Sequence, residues 1–416
     1  MYFYNHKPLR LIELFAGIGS QAKAMKNLGL DFQHWFVCEF DKYAIQSYNA
    51  IHGTNFTTSD VTKITARDLN VTDTEHFTYL LTYSFPCQDL SNAGKGAGME
   101  KGSGTRSGLL WEVERLLNEC TELPQVLLME NVPQVHGKKN IEQFEKWIKF
   151  LESKGYSNHW GDLNAKNFGI PQNRNRCFMI SILGDYSFDF PTGVPLERRL
   201  VDVLEESVDE SFYLTSKQLG YVIDLYDVQK GTKWEGRCDN GKINPNICAT
   251  LGVRSAGGNQ RIGVSTFVMD GTTEEITAKD YKKYVRQIGQ LHDVAGPKVI
   301  GGVGEKKSNG GRQWYQQDRI YDGECAISVT TAFNPYYATE KQPLRIRKLT
   351  PKECWRLMGF ADDDVEKAAK VCSNSQLYKQ AGNSIVVDVL MAILKELFIP
   401  KKTRSEWLDE LLRGDL

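Results

Sequence analysis

The run Leu9-Arg-Leu-Ile-Glu-Leu-Phe15 is apolar enough for a buried strand, and it leads directly into the glycine-rich Ala16-Gly-Ile-Gly-Ser20. Helical spacing then holds from Gln21 to Leu28 and stops at Gly29. A strand that turns through glycines into a helix opens an α/β unit, and its turn lets backbone approach a nucleotide-like ligand at the carboxyl edge of a sheet. The alternation recurs to about residue 190. Trp35–Cys38, Tyr79–Ser84, Val126–Met129 and Cys177–Leu183 read as further strands, and Lys42–His52, Leu109–Cys120 and Ile141–Lys154 as helices. Repeated strand–helix units predict a doubly wound, largely parallel, Rossmann-like sheet.

From about Pro191 helical periodicity thins, glycines multiply and short β-like pieces appear, which predicts a second, smaller, mostly β or irregular domain. Regular patterning resumes at Thr350–Leu357 and Ile385–Leu397, and Lys401–Leu416 reads as a charged amphipathic helix. A length of 416 residues suits two domains. No apolar run approaches the roughly 20 residues that span a bilayer. Met1–Pro8 lacks the basic and apolar regions of a signal peptide, so a cytoplasmic protein without a membrane partner is expected. The nine cysteines are scattered, with no C-x-x-C pair and no His/Cys cluster at zinc spacing, so neither disulfides nor a metal is expected. A net charge of −1 does not exclude nucleic acid, because Tyr281–Lys348 is locally basic while Val201–Glu210 is acidic.

Four segments carry chemistry. Gly17-x-Gly19-x-x-Ala22, with Glu39 just past the second strand to accept from ribose hydroxyls, fits either NAD or S-adenosylmethionine. In Ser84-Phe-Pro-Cys-Gln88 a cysteine follows a proline at the carboxyl end of a strand, and five glycines between Asn92 and Gly104 make the next stretch a natural lid. A thiol so placed can be activated at a site and shielded there. Glu130, after the strand Val126–Met129, can protonate or hydrogen-bond a bound base, especially if burial raises its pKa. Alternation before the strand Cys177–Leu183 puts Gln172, Arg174 and Arg176 on one face, where the two arginines are cations for an anionic or carbonyl-bearing substrate.

Taken in order, Leu11–Gly19, Pro86-Cys-Gln88, Glu130-Asn-Val132, Gln172-x-Arg174-x-Arg176, Arg347–Phe360 and Gln380–Val386 resemble the successive motifs of DNA (cytosine-5) methyltransferases of the bacterial and phage restriction-modification type. The resemblance spans most of the chain and is weakest between Pro191 and Ile346, where this family places target recognition. It implies an S-adenosylmethionine pocket lined by Phe15, Ala16, Gly17, Gly19, Pro86, Leu109, Asn383 and Ser384, with Glu39 on the ribose and Asp60 on the adenine amine. S-adenosylhomocysteine would be the product and no metal would be needed. Cys87 would attack C6 of a flipped-out cytosine, Glu130 would contact N3 and the exocyclic amine, and Arg176, with Arg174 nearby, would hold the C2 carbonyl and lower the thiol pKa. The partner would be double-stranded DNA, read by Arg254, Gln260, Arg261, Arg312, Gln316 and Gln317. A monomer is expected, with any cognate restriction endonuclease acting separately. The catalytic domain would comprise residues 1–197 and 376–416, and the recognition domain 198–375. The alternatives are a tRNA cytosine-5 methyltransferase, whose relatives share these motifs, a non-catalytic DNA-binding protein that keeps the fold, against which intact Cys87, Glu130 and Arg176 argue, and an NAD-dependent oxidoreductase. The last leaves Cys87, Glu130 and the paired arginines unexplained.

Overall fold

A computed structural model describes residues 7–87, 89–90, 98–213 and 344–400, together with the strands 266–271, 299–302, 319–321 and 336–339. The sequence-proposed base readers, the segment Ser91–Ala97, Gln88 and the stretch Lys401–Leu416 lie outside the described residues.

Strand β1 (Leu9–Leu14) is followed by α1 (Ser20–Asn27), β2 (Phe32–Cys38), α2 (Lys42–His52), the single turn α3 (Ala66–Leu69), β3 (Thr78–Tyr83), α4 (Leu110–Glu119), β4 (Val126–Asn131), α5 (Ile141–Ser153), β5 (Tyr156–Asn164) and β6 (Asn175–Leu183). The six strands form one sheet in the order β2-β1-β3-β4-β6-β5. β2, β1, β3 and β4 pair in parallel, whereas β6 runs antiparallel to both β4 and β5. The alternation expected from the sequence is therefore present, with one reversed strand that makes the sheet mixed. Sequence periodicity misses β5 because it is an edge strand. Its stretch Ser157-Asn-His-Trp-Gly-Asp162 is only partly buried or exposed and has no apolar alternation. β3 and β4 are buried at every position, as strands covered on both faces must be.

A second sheet contains β7 (Thr266–Gly271), β8 (Val299–Gly302), β9 (Arg319–Tyr321), β10 (Tyr336–Thr339) and β11 (Leu344–Lys348) in the order β10-β11-β7-β9-β8. Beyond it come α6 (Pro351–Arg356), α7 (Asp362–Ala369), α8 (Asn374–Asn383) and α9 (Val387–Phe398). The chain rejoins the first core earlier than residue 376. Leu349, Cys354, Trp355, Leu357, Met358, Phe360, Val365 and Ala368 share a buried cluster with Leu9, Leu11 and Leu80 of that sheet. α7 packs on α2 and is tied to α1 by Lys23, which pairs with Asp364 at 2.7 Å, and α9 packs on α1.

One charged side chain sits in the middle of this core. Glu13 on β1 is fully buried and accepts from the Tyr48 hydroxyl at 2.5 Å, while His34 Nδ1 lies 2.8 Å from the same hydroxyl. Burial pushes the Glu13 carboxyl from the ordinary 4.5 up to about 7, with the Tyr48 bond opposing it. A folded-state value above the unfolded one means the folded state binds the proton more tightly. The associated stability is present in full below about 4.5 and is lost as pH rises through about 7. Glu13→Gln keeps an acceptor for Tyr48 but cannot ionise. We expect its unfolding free energy to exceed that of the wild type by about 3 kcal/mol at pH 8 and to match it near pH 4, as read from urea denaturation at both pH values.

Candidate active site

The glycine turn after β1 is shaped by backbone conformations that few residues tolerate. Phe15 has φ +58°, in the left-handed region rarely adopted by a bulky residue, and Gly19 has φ +81°. A Cβ on Gly19 would lie 2.4 Å from His52 Nε2 and 2.6 Å from a ring carbon of Tyr48, whereas a Cβ on Gly17 would meet nothing within 4 Å. The turn is thus sealed against the core at Gly19 and open at Gly17. Gly19→Ala is expected to cost more than about 2 kcal/mol through clash and backbone strain together, with Gly17→Ala costing about half as much or less. Thermal unfolding of the two variants side by side checks this.

The amides of the turn bear on which nucleoside cofactor it suits. Ala16 N donates to Cys38 O at 3.1 Å, Gly19 N to Ala16 O at 3.0 Å and Gly17 N to Glu39 Oε2 at 2.8 Å. A pyrophosphate cradle needs such amides pointing at the ligand, but here one of them is given to a carboxylate. No lysine or arginine lies between Gly17 and Ala22. A carboxylate in place of a cation at this turn suits a cationic nucleoside better than a pyrophosphate. Glu39 Oε1 also accepts from Asp41 N at 2.8 Å, so both oxygens are aimed, and burial raises its carboxyl pKa. Ser59 N donates to Glu39 O, which brings Asp60 beside it, where Thr62 holds the Asp60 carboxylate low. Sequence reasoning missed Phe40, which is 77% exposed immediately after Glu39, an unusual placement for a phenyl ring and one that suits stacking against a flat base.

Two other segments come to the same edge. Asn383 is exposed at the end of α8, and Ser384 is buried with its hydroxyl donating to Gln380 O. Ser20 Oγ accepts from Ile385 N at 3.3 Å, so the late segment is tied to the glycine turn. Leu109 and Phe15 are partly buried against one hydrophobic cluster beneath the sheet edge.

Cys87 stands where β3 ends, and neighbouring polar groups fix its loop. Asn131 Nδ2 donates to Phe85 O at 3.0 Å, Ser107 Oγ donates to Pro86 O at 2.6 Å, and Asp89 accepts from Arg106 N at 2.8 Å. Gly98 N also returns to Asp89 O, closing the base of the glycine-rich segment. Nothing near Ser107 in the sequence signals its role, because its partner lies 21 residues away.

Glu130 and Arg176 form the other wall. The sequence reading placed both just outside strands, but Glu130 is within β4, paired with Phe178, and Arg176 is within β6 two residues before Phe178, on the same face and diagonal to the acid. Arg176 Nε lies 3.2 Å from Glu130 Oε1. Burial raises the Glu130 pKa, with Arg176 and then Arg174 opposing it. The expectation that Arg176 would lower the Cys87 pKa has the right sign but loses to a larger effect. Burial pushes the thiol above its ordinary value, Glu130 adds to this, and the arginines offset only part.

Gln172, Arg174 and Arg176, expected on one face, make three different sets of contacts. Gln172 Nε2 donates to Leu357 O at 2.7 Å, deep in the core. Arg174 donates to Gly382 O at 3.0 Å and Ser384 O at 2.8 Å. Pulled down to about 9 by burial, its guanidinium still carries its proton at neutral pH. Arg174 therefore anchors the segment behind the cofactor edge, and its charge also acts on Glu130 and Cys87, while Arg176 pairs with the acid. Alternation failed because the chain before β6 is a turn, where Gln172 N and Arg174 N bond to carbonyls two residues back.

The C-5 cytosine-specific DNA methylase family matches residues 9–399. The type II methyltransferase M2.ScrFI of Lactococcus lactis subsp. cremoris is 30% identical, with 94% of this chain and 99% of that protein covered. The orphan methyltransferase M.SPRI of Bacillus phage SPR is 32% identical over 94% of this chain and 97% of its own. Among solved structures, the Dnmt2 methyltransferase of S. pombe superposes with a TM-score of 0.56 at 19% identity, covering 94% of this chain and 98% of its own, which is a likeness of fold. With a matched family that takes in both sheets and every segment of the site, the chain belongs to the C-5 cytosine-specific DNA methylases.

Proposed function

We propose that the protein methylates C5 of a cytosine flipped out of a specific sequence in double-stranded DNA, through a covalent adduct of Cys87 with C6. The observation that carries this reading is the convergence of Cys87, Glu130 and Arg176 on neighbouring strand ends, with acid and guanidinium 3.2 Å apart. C6 cannot be reached inside a duplex, so the base must leave the stack. Glu130, its pKa raised by burial, would hold N3 and the exocyclic amine and stabilise the charge that develops in the ring. Arg176 would hold the C2 carbonyl. Thiolate addition to C6 makes C5 nucleophilic; after methylation the C5 proton leaves and Cys87 is expelled. S-adenosylmethionine would supply the electrophilic methyl group. Glu39, Asp60, Phe15, Phe40 and the open side of Gly17 would bind its nucleoside, while Ala16, Gly19, Pro86, Leu109, Asn383 and Ser384 would shape the rest of the pocket.

Residues 1–197 with the chain from about Leu349 would form the catalytic unit, and the intervening segment would read the target. The protein would act as a monomer in the bacterial cytosol, separately from any cognate endonuclease. Sequencing methylated cytosines in duplex DNA exposed to the purified protein and S-adenosylmethionine should show 5-methylcytosine confined to one short motif. Methyl transfer to tRNA and none to duplex DNA would overturn the reading.

A further inference from the structure

Behind the Glu130–Arg176 pair, on the opposite face of the sheet, three side chains of a different kind converge. Cys177 follows Arg176 on β6, pairs in register with Asp162 of β5 and Asn131 of β4, and is fully buried. Directly paired residues of antiparallel strands project to one face, so Asp162 and Cys177 lie side by side. The turn after β4 carries His136, whose Nε2 is 2.9 Å from Asp162 Oδ1. One ligand-type atom from each of the three lies within 4.8 Å of the other two, the one such group among the described residues. His136 and Asp162 keep 23% and 30% of their side chains exposed, so an ion can reach them from the β5 edge. The ring of Trp160 lies 4.8 Å from that of His136 and packs edge-on against Phe144, which gives the histidine a fixed wall.

The geometry points to a zinc site formed by His136, Asp162 and Cys177. Magnesium and calcium take oxygen ligands and avoid thiolates, whereas a sulfur, nitrogen and oxygen set suits zinc. Zinc bonds of about 2.0–2.3 Å place tetrahedral ligands within about 4 Å of one another. The present spacing closes to that by small rotations of the two part-exposed side chains. On binding, the thiol proton passes to solvent, the imidazole presents Nε2 as its Nδ1–H tautomer, and water takes the fourth position on the exposed side. The ion would join β5, β6 and the turn after β4, beside the ends of β4 and β6 whose other face holds Glu130 and Arg176. The expectation of no metal rested on spacing along the chain. These ligands are 26 and 15 residues apart; strand pairing brings Asp162 to Cys177, and the turn after β4 brings His136 to Asp162.

Chelator-treated full-length protein titrated with cobalt(II) tests the site through a readout independent of methyl transfer. One equivalent should produce a thiolate-to-cobalt charge-transfer band that zinc abolishes. Cys177→Ser should lack the band and Cys87→Ser should retain it. His136→Gln and Asp162→Asn leave the buried cysteine and its packing in place, so they serve even if Cys177→Ser folds poorly. Each should weaken zinc binding by about tenfold or more. Zinc should raise the melting temperature of the wild type but not of these variants. A cobalt–thiolate band that persists in Cys177→Ser, or zinc affinity unchanged in both His136→Gln and Asp162→Asn, would overturn the assignment.

Discussion

Cys87→Ser is expected to transfer methyl groups to duplex DNA more than about 10⁴-fold more slowly than the wild type, while binding the same DNA with unchanged affinity. The substitution keeps the size and the loop anchors, because Asn131 and Ser107 hold Phe85 O and Pro86 O and not the thiol. What is lost is the nucleophile, since a serine hydroxyl at that place is neither ionised nor soft. Single-turnover transfer of a labelled methyl group, with a parallel DNA-binding titration, separates the two effects. Activity within tenfold of the wild type would show that Cys87 does not attack the base. The wild type should also respond to pH in a defined direction. Burial holds the thiol above its ordinary value, so the thiolate fraction is small at neutrality and grows about tenfold per pH unit. We expect kcat/KM to climb with pH and not to level off by about 8.5, where an ordinary thiol is half ionised. A plateau beginning near neutrality would mean that DNA binding reverses the balance of burial and arginine charge.

The largest expected loss of stability lies away from this chemistry. Arg347 and Glu353 are both almost wholly buried and joined by two hydrogen bonds, at 2.8 and 2.9 Å. Glu353 also accepts from Thr350 N at 2.7 Å and Glu205 N at 2.8 Å, so one carboxylate gathers β11, the start of α6 and the chain after β6. Arg347→Met leaves that charge without its counter-ion inside the protein, at an expected cost of about 3–5 kcal/mol. Adding Glu353→Leu removes the stranded charge as well. The double variant should therefore regain a substantial part of the loss, even though it lacks more native hydrogen bonds. Urea unfolding of the single and double variants is the measurement. A double variant less stable than Arg347→Met alone would show that the carboxylate contributes mainly through its backbone bonds.

Periodicity worked where a segment's own pattern matched its burial. α2 spans Lys42–His52 as read from the sequence, capped by Asp41 and closed by Gly53. β1 was legible because an apolar run met glycines whose positive φ values are required. The elements that escaped have patterns set by neighbours. β5 is an edge strand, and α7 opens on three aspartates that look like a loop until Asp364 is seen to cap it and to pair with Lys23. In the site, Cys87 and Glu130 were legible from residue type at strand ends. Asn131 and Ser107 were not, because their roles are bonds to backbone carbonyls of distant residues. The bonds of Arg174 to two carbonyls more than 200 residues away were not legible either, because spacing along the chain does not show what a guanidinium meets.

Those two carbonyls also bear on how the molecule matures during synthesis. Gly382 and Ser384 supply the acceptors for Arg174, Ile385 reaches Ser20 beside the glycine turn, and α9 covers α1. On the ribosome, the six-stranded sheet and Cys87 emerge long before these partners are made. On the proposed reading, a nascent chain would carry Cys87 for most of translation without the segment that would complete the neighbouring pocket. Methyl transfer is then expected to begin only after residues 380–398 have left the exit tunnel and docked. Supplying that piece as a separate polypeptide should switch on an otherwise silent sheet.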